Sequence, residues 1–193
     1  MVCLGGGPSL TAADVEYCRG RDVRMLAVND AYHIAPFADV LYACDGKWWD
    51  YHQGVPSFTG LKFGMTVKAG KWPGVQRLAN TGGQGYESQP GGLRTGGNSG
   101  FQAVQLAVHL GAVRILLLGY DMQRGKKGRS HWFGEHPLPI RVSSDYGVFC
   151  AYFRSLATPL KALGIQVINC SRETALTCFP RMAIDEALQA VAA

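Results

Sequence analysis

The chain has 193 residues, 47% of them apolar and 17% charged, which suits one domain with a real core and excludes a disordered chain. Its net charge of +5 comes without a dense Lys/Arg run. Composition therefore gives no clear nucleic-acid signal and fits a phosphate-bearing small molecule as readily.

Residues 1–4 form a short apolar run that leads directly into Gly5-Gly6-Gly7-Pro8-Ser9-Leu10. A strand entering a glycine turn and then a capped helix is the first βα unit of a nucleotide-binding sheet. Ser9 or Thr11 can cap the helix, and Thr11 to Asp14 has capping-box spacing with Asp in place of Glu. Residues 23–28 predict a second strand ending in Asn29-Asp30, and residues 38–44 a third ending in Asp45. Trp48 and Trp49 follow, either packed in the core or forming an aromatic wall of a pocket. Residues 55–92 are loop-rich; 61–67 and 75–78 have strand character, and the rest reads as an irregular insertion beside the cleft.

Residues 95–121 are the organising stretch. Gly96, Gly97 and Gly100 free the backbone for close approach, and Asn98 or Ser99 can cap the helix that follows. Phe101, Val104, Ala107 and Val108 recur at helical spacing, with Leu106 and Leu110 widening the apolar face. Residues 113–118 predict a strand covered on both faces, ending in Asp121. The glycines either pack helix on strand or hold an anion at the helix N-terminus, with Asp121 at the strand end where open sheets place ligands.

A long polar loop, residues 119–142, contains Ser130-His131-Trp132-Phe133-Gly134-Glu135-His136. One His can act as a general acid or base; a metal held by both lacks an obvious third ligand; a loop pinned by Trp132 is the structural alternative. Residues 144–163 predict a helix with Tyr146, Phe149, Phe153, Leu156, Leu160 and Leu163 on one side, kinked or restarted at Pro159. Gly164 stops it, residues 165–170 form the last strand, Ser171 is a cap or phosphate contact, and 184–191 form a terminal helix.

Six cysteines have no CxxC or zinc spacing, and Cys3, Cys44 and Cys170 sit in or at the ends of strand-like runs, as reduced core thiols do. No signal peptide is visible and no apolar run approaches the ~20 residues of a membrane span, so the expected setting is cytoplasmic. Together these elements predict an α/β chain. Residues 1–193 are expected to form a single Rossmann-like three-layer nucleotide-binding domain with a mostly parallel sheet.

Gly6-Gly7-Pro8-Ser9-Leu10, Val28-Asn29-Asp30, Ser99-Gly100 before an apolar helix, Leu118-Gly119-Tyr120-Asp121 and the His131–His136 segment follow one another in a familiar order. In this the chain resembles the MptE-like domain proteins, which include archaeal 6-hydroxymethylpterin diphosphokinases and phage-borne members. It is also similar to the bacterial sialyltransferases of glycosyltransferase family 42. The second resemblance implies that Gly6, Gly7, Ser9, Asn29, Ser99 and Gly100 line a nucleotide site, with His136 as catalytic base and His131 matching an earlier His. The sialyltransferase turn has Asn where this chain has Gly6, and its phosphate-assisting tyrosines have no counterpart around residues 122–128, leaving Lys126, Lys127 or Arg129 for that charge.

Three readings follow. A glycosyltransferase would hold a sugar nucleotide through Gly97, Asn98, Ser99 and the strand-end groups Asp45, Asp121 and Ser171, and act on a small-molecule or glycan acceptor. A diphosphokinase of a pterin-like alcohol would need Mg²⁺, with Asp45 and Asp121 as ligands. A binding module would keep the fold without the chemistry. Glycosyl transfer is the preferred expectation; no resident metal is assigned, and a homo-oligomer is compatible with all three.

Overall fold

A computed structural model of the chain describes residues 1–66, 69–141 and 143–189. Val67, Val142 and Val191, the far ends of an expected strand, loop and helix, lie outside the described residues. In chain order the elements are β1 (Val2–Leu4), α1 (Ala12–Arg19), β2 (Met25–Val28), β3 (Val40–Ala43), α2 (Gly46–Tyr51), β4 (Leu61–Gly64) and β5 (Val75–Arg77). Then come β6 (Ala79–Asn80), β7 (Gly92–Leu93), α3 (Ser99–His109), β8 (Arg114–Leu118), α4 (Tyr146–Ala162), β9 (Gln166–Asn169) and α5 (Ile184–Gln189), with short 3₁₀ turns between.

Seven strands form one sheet in the order β5-β4-β3-β2-β1-β8-β9, and every pairing is parallel. The loop-rich segment 55–92 thus contributes two strands at one edge of the sheet, while β6 and β7 pair separately. β1 has only three residues, yet it lies between β2 and β8 and is fully buried. The chain runs outward from β1 to β5 and then returns to the other side of β1 as β8. Strand order therefore reverses between β1 and β8, which opens a crevice at their carboxyl ends. The register sets Leu4 beside both Ala27 and Leu118, so Gly5, Val28 and Gly119 leave the sheet side by side.

Strand alternation divides the core into two apolar layers. Val2, Leu4, Met25, Ala27, Leu116 and Leu118 face α1, α2 and α5. Cys3, Leu26, Val28, Ile115 and Leu117 face α3 and α4. This is the expected Rossmann-like three-layer α/β architecture.

Helix starts follow local chemistry. Thr11, not Ser9, caps α1: its hydroxyl accepts from the Asp14 N–H while the Asp14 carboxylate accepts from the Thr11 N–H at 3.0 Å. Arg172 reaches the same carboxylate from the segment after β9. Asn98, not Ser99, caps α3, accepting from Phe101 N–H at 2.8 Å. Three residues expected on apolar faces are exposed, Leu110 by 38%, Val113 by 70% and Leu163 by 57%, because α3 ends at His109, β8 begins at Arg114 and α4 ends at Ala162. Gln102 and Gln105 are buried instead. Gln102 accepts from the Tyr42 hydroxyl and donates to Thr95 C=O, while Gln105 accepts from Glu87 and Arg94 N–H and donates to Arg94 C=O. These amides fasten the loop-rich segment to α3. Pro159 lies in the last turns of α4, which continues through it to Ala162 without starting a new segment.

Candidate functional site

A cavity of about 590 Å³ sits in the crevice at the carboxyl ends of the central strands, within the range of small-ligand sites. The glycine turn, Asn29, the start of α3, the His131–His136 loop and the first turn of α4 all line it.

The turn after β1 is held by backbone. Gly5 N–H donates to Leu118 C=O at 2.7 Å, and Gly7 N–H donates to Gly119 C=O at 2.8 Å. A side chain at Gly5 would place its Cβ 2.5 Å from Gly119 O, so the exits of β1 and β8 touch. Ser9 donates to Asp121 twice, from its N–H at 2.8 Å and its hydroxyl at 2.7 Å. Asp121 is 2% exposed, and burial raises its pKa against the opposing pull of those bonds. It is a scaffold that ties the turn to β8. Ser9 itself does not line the cavity, which corrects its expected place as a ligand contact.

Asn29 enters the site with φ of +50°, a left-handed conformation that Asn tolerates better than most residues. At α3, Gly97 also has positive φ (+68°), and the Ser99 hydroxyl accepts from Cys44 N–H at 3.2 Å. Asn98 satisfies Phe101 N–H, and Ser99 and Gly100, whose first-turn N–H groups have no partner inside the helix, line the cavity. A helix start of this kind can seat a small anion on backbone.

The histidine loop docks on the turn through Trp132 N–H donating to Gly6 C=O at 3.1 Å. His131 stacks on Phe133 at 5.0 Å and meets His136 edge-on at 4.6 Å. Burial, then His136, lowers the His131 pKa, so this ring is neutral at pH 7. Glu135 turns back to accept from Ser130 N–H and to face Arg124, and takes no part in a metal site.

Behind His136 lies a residue that no motif singled out as functional. His136 Nδ1 is 3.3 Å from Asp30 Oδ2, an ion-pair distance without an aligned hydrogen bond, and it has no hydrogen-bond partner among the described residues. Trp48 Nε1 donates to the same oxygen at 3.0 Å, while His52 and His33 stand 3.5 and 3.8 Å from Asp30 Oδ1. Of the chain's five histidines, three face one buried carboxylate and His131 touches one of those three. Trp48 both packs in the core and reaches the site, whereas Trp49 is wholly core, donating to Ala43 C=O at 2.9 Å.

Two other expected contacts change role. Ser171 is buried outside the cavity, where its hydroxyl accepts from Tyr120 N–H at 2.8 Å and steadies the exit of β8. Asp45 does line the cavity, but its carboxylate caps α2 through Lys47 N–H. Ser9 occupies both oxygens of Asp121, and among the described residues no group of three or more His, Cys, Asp or Glu is placed to hold a metal ion. Asp45 and Asp121 therefore fit poorly as a magnesium pair.

Tyr146 and Phe149, expected on the core side of α4, line the cavity instead. No Lys or Arg lines the cavity among the described residues. The nearest basic loop, Arg124 to Arg129, lies between lining residues Gln123 and Ser130 and packs at Gly125 against Pro8. All six thiols are unpaired; Cys3 and Cys170 are core, and Cys44 opens to the cavity. Among the described residues no helix is long and apolar enough to cross a membrane. No family model, curated protein or solved structure matches this chain.

Proposed function

We propose that the chain is a nucleotide-dependent transferase, of the sialyltransferase-like glycosyltransferase kind, with His136 as general base. The observation that carries this is the Asp30–His136 pair, set in the same crevice as the free N–H groups at the start of α3. In this reading the donor's phosphate sits on Ser99 and Gly100 N–H, and an acceptor hydroxyl meets His136. The acceptor oxygen bonds to the anomeric carbon and its proton passes to the ring. The bond from that carbon to the phosphate oxygen breaks, and the nucleotide leaves with the electron pair. A cavity without lysine or arginine favours a donor with one phosphate over a triphosphate. Kinship with the MptE-like proteins and family 42 sialyltransferases belongs to this proposal. So does the basic loop's role in offsetting charge on the leaving phosphate.

A thermal-shift panel of CMP, UDP, GDP, ATP and GTP, each with and without Mg²⁺, tests it. A nucleoside monophosphate at 100 times its Kd is expected to stabilise the chain by about 2.7 kcal/mol without metal. Stabilisation by ATP or GTP only with Mg²⁺ would favour the pterin-type diphosphokinase, and silence throughout would favour a binding module. The triple variant K126A/K127A/R129A is expected to weaken nucleotide affinity and turnover by about tenfold or more at low salt, an effect that added salt shrinks. Unchanged affinity and turnover would remove the loop from the mechanism.

A further inference from the structure

We propose that Tyr32, His52 and Asp30 form a one-way polar chain, one hydrogen bond followed by ion-pair contacts, that fixes which ring nitrogen of His136 carries the proton. The inference rests on reading His136 as the base, but its test does not use turnover.

The direction of the chain follows from which ring nitrogens stand beside the Asp30 carboxylate, which can only accept. His52 Nε2 is one of them, so the ring proton sits there. Tyr32 Oη lies 3.1 Å from His52 Nδ1. Burial and then Asp30 push the Tyr32 pKa up to about 12, so the hydroxyl keeps its proton and donates it to the bare Nδ1. Burial lowers the His52 pKa, and the ring carries one proton only. Among the described residues His52 Nε2 and His136 Nδ1 are both buried with no aligned hydrogen bond, and each lies at ion-pair distance from Asp30, at 3.5 and 3.3 Å. A buried N–H needs an acceptor, and a bare nitrogen facing a carboxylate would meet repulsion with no bond in return. Both nitrogens therefore carry protons. Trp48 Nε1, another obligate donor, takes Asp30 Oδ2 at 3.0 Å and helps keep the carboxylate in place. In a neutral His136 ring a proton on Nδ1 leaves Nε2 bare, as a base requires. Two further rings complete the surroundings: His33, half exposed, 3.8 Å from Asp30 Oδ1, and His131 against the edge of His136. Asp30, His52 and Tyr32 are positioning residues, since none needs to touch substrate.

Long-range ¹⁵N–¹H correlation spectra of the full chain, at mildly alkaline pH where imidazoles are neutral, read the tautomers directly. Wild type is expected to show His136 protonated at Nδ1 and His52 at Nε2. The isosteric variant Asp30→Asn makes the sharper prediction. Trp48 can only donate, so the amide oxygen must stay on its side, where it also serves His136, and the amide NH₂ turns toward His52. His52 is then expected to switch its proton to Nδ1 while His136 keeps its own. Adding Trp48→Phe frees the amide to turn over, and mixed tautomers are expected for both rings. A wild-type His136 protonated at Nε2, or a His52 tautomer unchanged in Asp30→Asn, would overturn the chain. These spectra need no ligand, so a failure of glycosyl transfer would leave the result standing, and the reverse.

Discussion

Replacing His136 by glutamine is expected to lower turnover by about 10²–10⁴-fold, the usual contribution of a positioned general base, while nucleotide-induced stabilisation stays intact. Glutamine preserves much of the ring's bulk and can still donate toward Asp30, but it offers no basic nitrogen near neutral pH. The α3 N-terminus, which does not depend on His136, should bind the donor as before. The comparison that gives the result meaning is His131→Gln. His131 is stacked on Phe133 against the Gly6 turn, and a Cβ at Gly6 would stand 3.0 Å from its Nδ1. Among the described residues no carboxylate lies within ion-pair distance of it, and Glu135 and Asp30 act on it only from further away, so its loss should act mainly through packing and cost less. The measurement is initial rate against acceptor concentration with the donor that the nucleotide panel selects. Full turnover in His136→Gln would end the general-base reading, and a deeper loss in His131→Gln would exchange the two roles.

Much of the scaffold was legible in the sequence because its signals are local. The Thr11–Asp14 capping box, the Asn98 cap and the apolar strand runs each depend on residues within a few positions of one another. The sheet edge that bears the cavity was legible too, since a strand that ends in glycine or a polar residue marks its own carboxyl end. What the sequence hid depends on distance along the chain. Asp121 reads as a free acid until Ser9, 112 residues away, is seen to occupy both its oxygens. Asp30 stood beside the expected Asn29, but its importance comes from His52 and His136, which arrive from the end of α2 and from the long loop. The only cue was compositional: few histidines, most of them in segments that end at the same sheet edge. Tyr146 and Phe149 keep perfect helical spacing with Phe153, yet they line the cavity while Phe153 is in the core. Periodicity names a face of a helix. It does not say where the sheet beneath it stops.

The second large effect concerns the turn that holds the crevice together. Gly7→Ala is expected to destabilise the chain by about 3 kcal/mol, the upper part of the usual overpacking range. The new Cβ would stand 2.6 Å from Gly119 O and closer still to the Asp121 carboxylate. Neither neighbour yields easily. Gly119 O is the acceptor for Gly7 N–H itself, and Asp121 is locked by two bonds from Ser9. Relief must come from moving the β1 exit off the β8 exit, which breaks the backbone pairing at the switch point and widens the site. Gly164→Ala separates this from the general cost of losing a glycine: its φ is +72° with nothing within 4 Å of the added Cβ, so only backbone strain of about 1–2 kcal/mol is expected. Urea unfolding midpoints at constant m-value measure both. Gly7→Ala should show the larger shift and also a weaker response to nucleotide, whereas Gly164→Ala, at the far end of α4, should respond to nucleotide as wild type does. A Gly7→Ala midpoint equal to wild type would mean that the two strand exits part without cost, and that the crevice is held open or shut by something other than this contact.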